Sequence, residues 1–379
     1  MAGTLSRFFA RIADDAAPGG PAGSLAQATL SVASPFYAVG AAINRLLHDA
    51  GIQQRESLPT IVLSVGNITV GGTGKSPFCA WLVEWLRAEG KRPAVLTRGY
   101  GRADESRLVV VHNGSRLLAR TTDGGDEPVM LARMLGDVPV VACADRARGG
   151  RYALKKFEID TLVLDDGFQH HDLARQGDIL LVDSTRPISS LRLLPRGTLR
   201  ELPGVLSRAH LIVMTRWNQA SSPKRTLREV MHHAPGVPVA RMSLEATGAR
   251  RLAGGELLPL DALKGKRAVV LTGVANPDSV RASVESAGLR VAKLRSLGDH
   301  ATITRQTLDA ALRMMRKMRA EFVVVTEKDA AKLEELGSLP PQIIALKTEL
   351  RFVEERDRRT AEKALRARVQ ARGVRGLLK

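Results

Sequence analysis

Short runs rich in aliphatic residues recur along the chain and alternate with stretches whose apolar residues return every three or four positions. The runs at 61–65, 93–96, 138–142, 161–164, 179–182 and 211–214 are rich in Val, Ile and Leu and end in polar or glycine-bearing turns, which predicts buried strands. After the first run, Phe78, Trp81, Leu82, Trp85 and Leu86 mark one face of a helix that stops at Gly90. Pro77 falls in its first turn, where a missing N–H is harmless. Residues 109–111 and 116–119 predict a hairpin. This alternation predicts a mostly parallel sheet flanked by helices, with ligands beyond the carboxyl ends of the strands. Residues 217–237 are polar and contain prolines, and are expected to cross to a second, smaller α/β domain with strands at 268–271, 290–293 and 322–325. There Leu308, Leu312, Met315 and Met318 share a helix face that reads as core. The charge alternation of 354–372 predicts a solvated helix.

The first fifty residues are patterned differently. Leu5, Phe8, Phe9 and Ile12 fall at helical spacing beside Arg7 and Arg11, and 16–44 carry no charge at all. Pro18, Gly19, Gly20, Pro21, Gly23 and Pro35 interrupt that uncharged run and argue against a transmembrane span or a signal peptide. Phe36, Val39, Ile43, Leu46 and Leu47 mark a second amphipathic helix that Pro35 could start. The region reads as a peripheral attachment to a membrane surface.

Charge sharpens this picture. Lys and Arg outnumber Asp and Glu by 57 to 39, a net charge of +18, so an anionic partner is expected. Aromatics are only 4% and do not interleave with basic residues, which argues against single-stranded nucleic acid. Cys79 and Cys143 stand far apart with no metal-ligand spacing and read as buried small hydrophobes in a reducing compartment.

Candidate chemistry clusters at predicted strand ends. IVLSVGNITVGGTGKS, at 61–76, is a strand running through Gly71, Gly72, Thr73 and Gly74 into Lys75 and Ser76 at a helix start. Glycines let the backbone approach a polyphosphate, the helix N-terminus and the lysine face its charge, and the serine hydroxyl can ligate Mg²⁺. Thr69 stands where the pattern GxxxxGK(S/T) has its first glycine. Asp165 and Asp166 follow a buried run directly, where a metal-organising carboxylate belongs in a phosphate-loop enzyme. Asp126 and Glu127, between Gly125 and Pro128, form a second acidic pair, with Asp126 expected as a helix cap. Asp299–His300 is a third candidate, since a carboxylate–histidine pair suits deprotonation of a hydroxyl. Arg98, Arg102, Arg146, Arg196 and Arg200 lie near strand ends, where arginine can take phosphate.

Together these motifs resemble the tetraacyldisaccharide 4'-kinases. The segments VGNITVGGTGKSP (65–77), TRGYGR (97–102), GGDEP (124–128), DDGFQHHDLAR (165–175), LPRGTLRE (194–201), LTGVANP (271–277), GDH (298–300) and TEKDAAKL (326–333) run in that family's order. The resemblance implies an ATP- and Mg²⁺-dependent kinase with a P-loop NTPase-like fold. It would phosphorylate the 4'-hydroxyl of a tetraacylated glucosamine disaccharide 1-phosphate in lipid A synthesis, at the cytoplasmic face of the inner membrane. It implies a membrane-associating region (1–55), a kinase core (56–216) and a domain closing over the site (217–379). Lys75 and Ser76 would hold phosphate and Mg²⁺, and Asp126 would be the base paired with His300. Glu127, Asp165 and Asp166 would organise metal, and Arg98, Tyr100, Arg146 and Arg200 would contact substrate. No protein partner is implied. The alternatives are a nucleotide-dependent switch or chaperone-type P-loop protein, which needs no acceptor base, and a basic nucleic-acid-binding ATPase.

Overall fold

The computed structural model describes residues 28–35, 37, 39–40, 43, 46–47, 50, 52, 54–298, 301 and 303–370. The chain divides into two compact units, each built from separate stretches: 1–73, 166–242 and 352–379 in the first, 74–165 and 243–351 in the second.

In the first unit, strands β1 (Ile61–Asn67), β6 (Gly177–Asp183), β7 (Leu211–Thr215) and the start of β8 (Val239–Arg251) lie in the order β8–β7–β6–β1, all parallel. β1 is buried along its whole length, which accounts for its Ile61-Val62-Leu63 run and Val65, with Ser64, Gly66 and Asn67 buried among them. Phe168, Leu180, Val182, Leu206, Ile212 and Val230 belong to one core, to which helix Pro223–His233 contributes. Segment 217–237, expected as a crossing, thus forms a 3₁₀ turn and a helix packed on its own unit. The helix lacks a long apolar run because only Thr226 and Val230 are buried on it.

The second unit contains β2 (Pro93–Thr97), β3 (Val109–Asn113), β4 (Pro139–Ala142) and β5 (Thr161–Asp165), ordered β5–β2–β4–β3. Only the β3–β4 pairing is antiparallel. Helices α1 (Lys75–Ala88), α2 (Asp126–Leu135) and α3 (Arg146–Lys156) connect these strands. The hairpin expected after β3 is reduced to one bridge, His112 with Leu117, because β3 takes β4 as its partner. This unit also holds the rest of β8, β9 (Leu257–Leu258), β10 (Arg267–Thr272), β11 (Arg290–Ser296), β12 (Phe322–Thr326) and β13 (Ile343–Phe352). There β11–β10–β12–β13 is parallel, with helices α4 (Pro277–Ser286), α5 (Arg305–Lys317) and α6 (Glu327–Leu333) between the strands. Leu308, Leu312 and Met315 of α5 are buried in its core, as their spacing predicts. Cys79 on α1 and Cys143 after β4 are both buried and unoxidised. The closing helix α7 (Glu355–Gln370) buries Ala361, Leu365 and Val369 on one face.

Residues 28–35 are helical, and Ser34 is buried with its hydroxyl 3.2 Å from the Leu193 carbonyl. The helix expected at residues 5–12 lies outside the described residues. No helix among the described residues is long and apolar enough to cross a membrane.

Candidate active site

The glycine loop leaves β1 in two steps. First, residues 68–70 run antiparallel to 198–200: Thr69 bridges Leu199, Val70 N donates to the Thr198 carbonyl, and Arg200 N donates to the Ile68 carbonyl. The chain then turns through Gly71 at φ 100° and Gly74 at φ 87°, left-handed values that favour glycine, and α1 begins at Lys75. No acidic residue stands in the first turn of α1, so its positive end is uncompensated.

Side chains brace the loop. Asn67 Nδ2 donates to Thr73 Oγ1 at 3.0 Å, and Thr215 Oγ1 donates to the Thr73 carbonyl at 2.8 Å. Arg216, itself at φ 53°, reaches the Gly72 carbonyl at 2.5 Å while its other arm pairs with Asp183. Thr215 and Arg216 escaped the sequence reading; their signal was the position of a polar pair just past a buried strand.

The two aspartates after β5 have different surroundings. Asp165 is 3% exposed and accepts from Cys79 Sγ at 3.7 Å, one turn along α1 from Ser76. Asp166 adopts φ 55° and both its oxygens lie 2.9 Å from Arg200 Nη1. Arg200 also donates to Gln169, whose amide nitrogen reaches the Asn67 carbonyl and Glu201. Arg200, expected on substrate, therefore has an internal carboxylate partner.

Asp126 is not the helix cap. Gly125 takes that position at φ 91°, and Asp126 is the first residue of α2, its Oδ1 accepting from Glu127 N at 3.0 Å. Its Oδ2 lies 2.9 Å from Lys332 Nζ and 3.9 Å from Lys328 Nζ, and Lys328 also reaches Glu127 at 2.9 Å. Both lysines come from α6, inside a motif recognised in the sequence but given no role there. Between them, Asp329 is fully buried and faces the other way, bonded to Thr272 Oγ1, Gly273 N and Thr326 Oγ1. Burial pushes its carboxyl pKa up against those hydrogen bonds. His300 lies outside the described residues.

The remaining arginines divide by exposure. Arg98 is exposed, 3.7 Å from Glu105, and Tyr100 is 60% exposed between Gly99 and Gly101, both at positive φ. Arg102 is buried, bonded to the Ala142 and Glu105 carbonyls, and burial lowers its pKa. Arg146 is buried as well, with Nη1 on the Cys143 and Ala144 carbonyls. Arg102 braces its loop through the Ala142 and Glu105 carbonyls.

For Mg²⁺ the oxygen donors Ser76 and Asp165 fit by type. Among the described residues no group of three or more His, Cys, Asp or Glu side chains could hold a metal. A cation here would need oxygens from the phosphates it neutralises, which is the usual manner of Mg²⁺.

A buried parallel strand that opens through two left-handed glycines onto a Lys-Ser helix start is the architecture of a P-loop nucleotide-binding protein. Residues 26–370 match the family model described as tetraacyldisaccharide-1-P 4'-kinase, and the chain belongs to that family. The tetraacyldisaccharide 4'-kinase of Geobacter metallireducens is 39% identical over 309 residues, covering 82% of this chain and 89% of the relative. That of Syntrophus aciditrophicus is 36% identical over 330 residues, covering 85% and 88%. A crystal structure of LpxK from Aquifex aeolicus, in complex with ATP, superposes with a TM-score of 0.71 at 29% identity, over 90% of this chain and 99% of that one. The protein is a kinase, and the switch alternative is not favoured.

Proposed function

We propose that this chain transfers the γ-phosphoryl group of ATP to the 4'-hydroxyl of a tetraacylated glucosamine disaccharide 1-phosphate. The glycine loop from Gly71 to Gly74 cradles the phosphates with backbone N–H groups, Lys75 neutralises the transferring group, and Ser76 with Asp165 would hold Mg²⁺. Bound Mg²⁺ would supply charge neutralisation between the phosphates. Asp126 takes the proton of the attacking hydroxyl, with His300 as its partner by family resemblance, and Glu127 stands beside it. Asp166 is held by Arg200. Arg98, Tyr100 and Arg146 are the proposed contacts to the acceptor. The organisation proposed is an attachment region (1–55), a kinase core (56–216) and a second α/β domain (217–379).

Attachment is proposed to be peripheral, at the cytoplasmic face of the inner membrane. Val32, Val39, Ile43 and Leu46 fall at spacings of seven, four and three, one face of a helix, and all are more than half exposed.

The observation that carries the catalytic reading is Asp126: a 92%-buried carboxylate at a helix start, ion-paired to two lysines, in a protein with a formed phosphate loop. Purified protein with Mg·ATP should convert the detergent-solubilised disaccharide 1-phosphate to a bisphosphate. Asp126→Ala should lower kcat by at least about 100-fold while ATP still binds. Wild-type turnover in that variant would remove Asp126 as the base, and no product from folded wild type would sink the whole reading.

A further inference from the structure

Two lysines on α6 meet two carboxylates at the start of α2. Lys328 and Lys332 are four residues apart and so share one helical face. Their side chains are only 10% and 14% exposed. Taking two ammonium groups out of water is costly, and well-packed apolar residues would serve stability as well. The arrangement therefore asks for a role besides stability.

The mount is rigid on both sides. Asp329 pins the start of α6 to Thr272 and Gly273 at the end of β10. Glu327 and Glu334 grip Arg250 at 3.0 and 2.6 Å, Glu334 also pairs with Arg133 of α2, and Glu335 accepts from Thr121. Lys332 has a second contact: its Nζ donates to the Ala301 carbonyl at 3.2 Å. Ala301 directly follows His300 in the chain. One ammonium thus touches Asp126 on one side and the Ala301 carbonyl on the other.

We propose that Lys332 is a positioning residue for phosphoryl transfer, fixing the Asp126 carboxylate relative to the backbone at Ala301. The inference rests on Asp126 being the base. Lys328 plays the parallel part for Glu127. A lysine suits this place because its ammonium is a compact point charge with three donors, able to serve a carboxylate and a carbonyl at different angles; the planar fork of arginine cannot copy that.

The test is steady-state kinetics on the full chain. Lys332→Ala should lower kcat about 100-fold, the scale of a small misplacement of a reacting group, with KM for ATP and for the lipid acceptor little changed. In the Asp126→Ala background the same substitution should cost almost nothing more, because the two act as one unit. Lys332→Cys should be as slow as Lys332→Ala, and aminoethylation with 2-bromoethylamine, which rebuilds the ammonium, should restore turnover. Cys79 and Cys143 are buried, and treated wild type serves as the control. Should Lys332→Ala fail to fold, Lys332→Met keeps the stem and carries the same expectation. Wild-type kcat in a Lys332 variant, with Asp126→Ala inactive, would overturn the inference and leave the base standing. A slow but folded Lys332→Cys that aminoethylation does not restore would overturn it equally. Activity in Asp126→Ala would instead remove the reading beneath it.

Discussion

At the scale of residues, Thr69 shows how a departure from a motif becomes intelligible once its backbone is seen. The residue is half of an antiparallel bridge to Leu199, and a β-branched side chain suits extended backbone where a flexible glycine would not. Freedom of φ is needed only further on, at Gly71 and Gly74, where the chain does have glycine. His210 makes a second point, about stability. Its Nδ1 accepts from Asp178 N at 3.0 Å, which requires that nitrogen unprotonated. Burial first, and Arg368 after it, lower its pKa from 6.5, with Asp178 opposing. The folded-state pKa lies below the unfolded one, so in the window between them the unfolded chain binds more protons. Stability from this site is complete above that window and declines as pH falls through it. His210→Gln keeps a carbonyl acceptor and does not titrate. Between about pH 7.5 and about pH 5.5 the wild-type Tm should fall more steeply than that of the variant, and parallel curves would refute the assignment. The placement of single residues was legible where chemistry and local pattern coincide, as with Lys75 at a helix start and Asp165 at a strand end. Lys328 and Lys332 were not, because a lysine in a charged helix looks solvated until the opposing helix is known.

At the scale of elements, β1 is packed with no room for even a methyl group at Gly66. A Cβ on Gly66 would come 2.6 Å from Phe168 Cβ and 3.0 Å from its backbone nitrogen, and Phe168 is itself fully buried. Since backbone cannot swing aside as a side-chain tip can, Gly66→Ala should destabilise by about 1–3 kcal/mol and pull the start of the phosphate loop with it. Thermal unfolding would show a lower Tm, and KM for ATP should rise; an unchanged Tm would mean that the strand and the 166–168 turn separate easily. The short buried strands before residue 216 were legible because burial on both faces makes their centres predominantly aliphatic. β8 and β13 were not read as strands. β8 carries Arg, Glu and Gly along thirteen residues, and its burial alternates irregularly. In β13 the buried Ile343–Leu346 gives way to Lys347, Thr348 and Glu349, so the pattern stops while the backbone continues extended.

At the scale of the molecule, the two compact units are assembled from separate stretches, with β8 giving Val239–Met242 to one and Ser243–Arg251 to the other. Hydrophobic periodicity reports local elements and carries no record of which distant stretches cluster, so such units are not legible in chain order. Net charge is legible, and it bears on the proposed membrane attachment. An excess of 18 positive charges favours an anionic surface, at about 1 kcal/mol for each basic group that comes close to it. Val32, Ile43 and Leu46 would add apolar burial of about 1.5–3 kcal/mol each if fully inserted. The two contributions separate experimentally, because salt screens the first over about 10 Å at 0.1 M and leaves the second almost untouched. Wild-type protein should sediment with vesicles containing anionic lipid, and raised salt should release only part of it. Replacing Val32, Ile43 and Leu46 together by Ser should leave binding that salt abolishes entirely, since only charge then holds the protein to the surface. If the triple variant sediments like wild type at every salt concentration, the exposed stripe does not enter the bilayer and the attachment is electrostatic or lies in other residues.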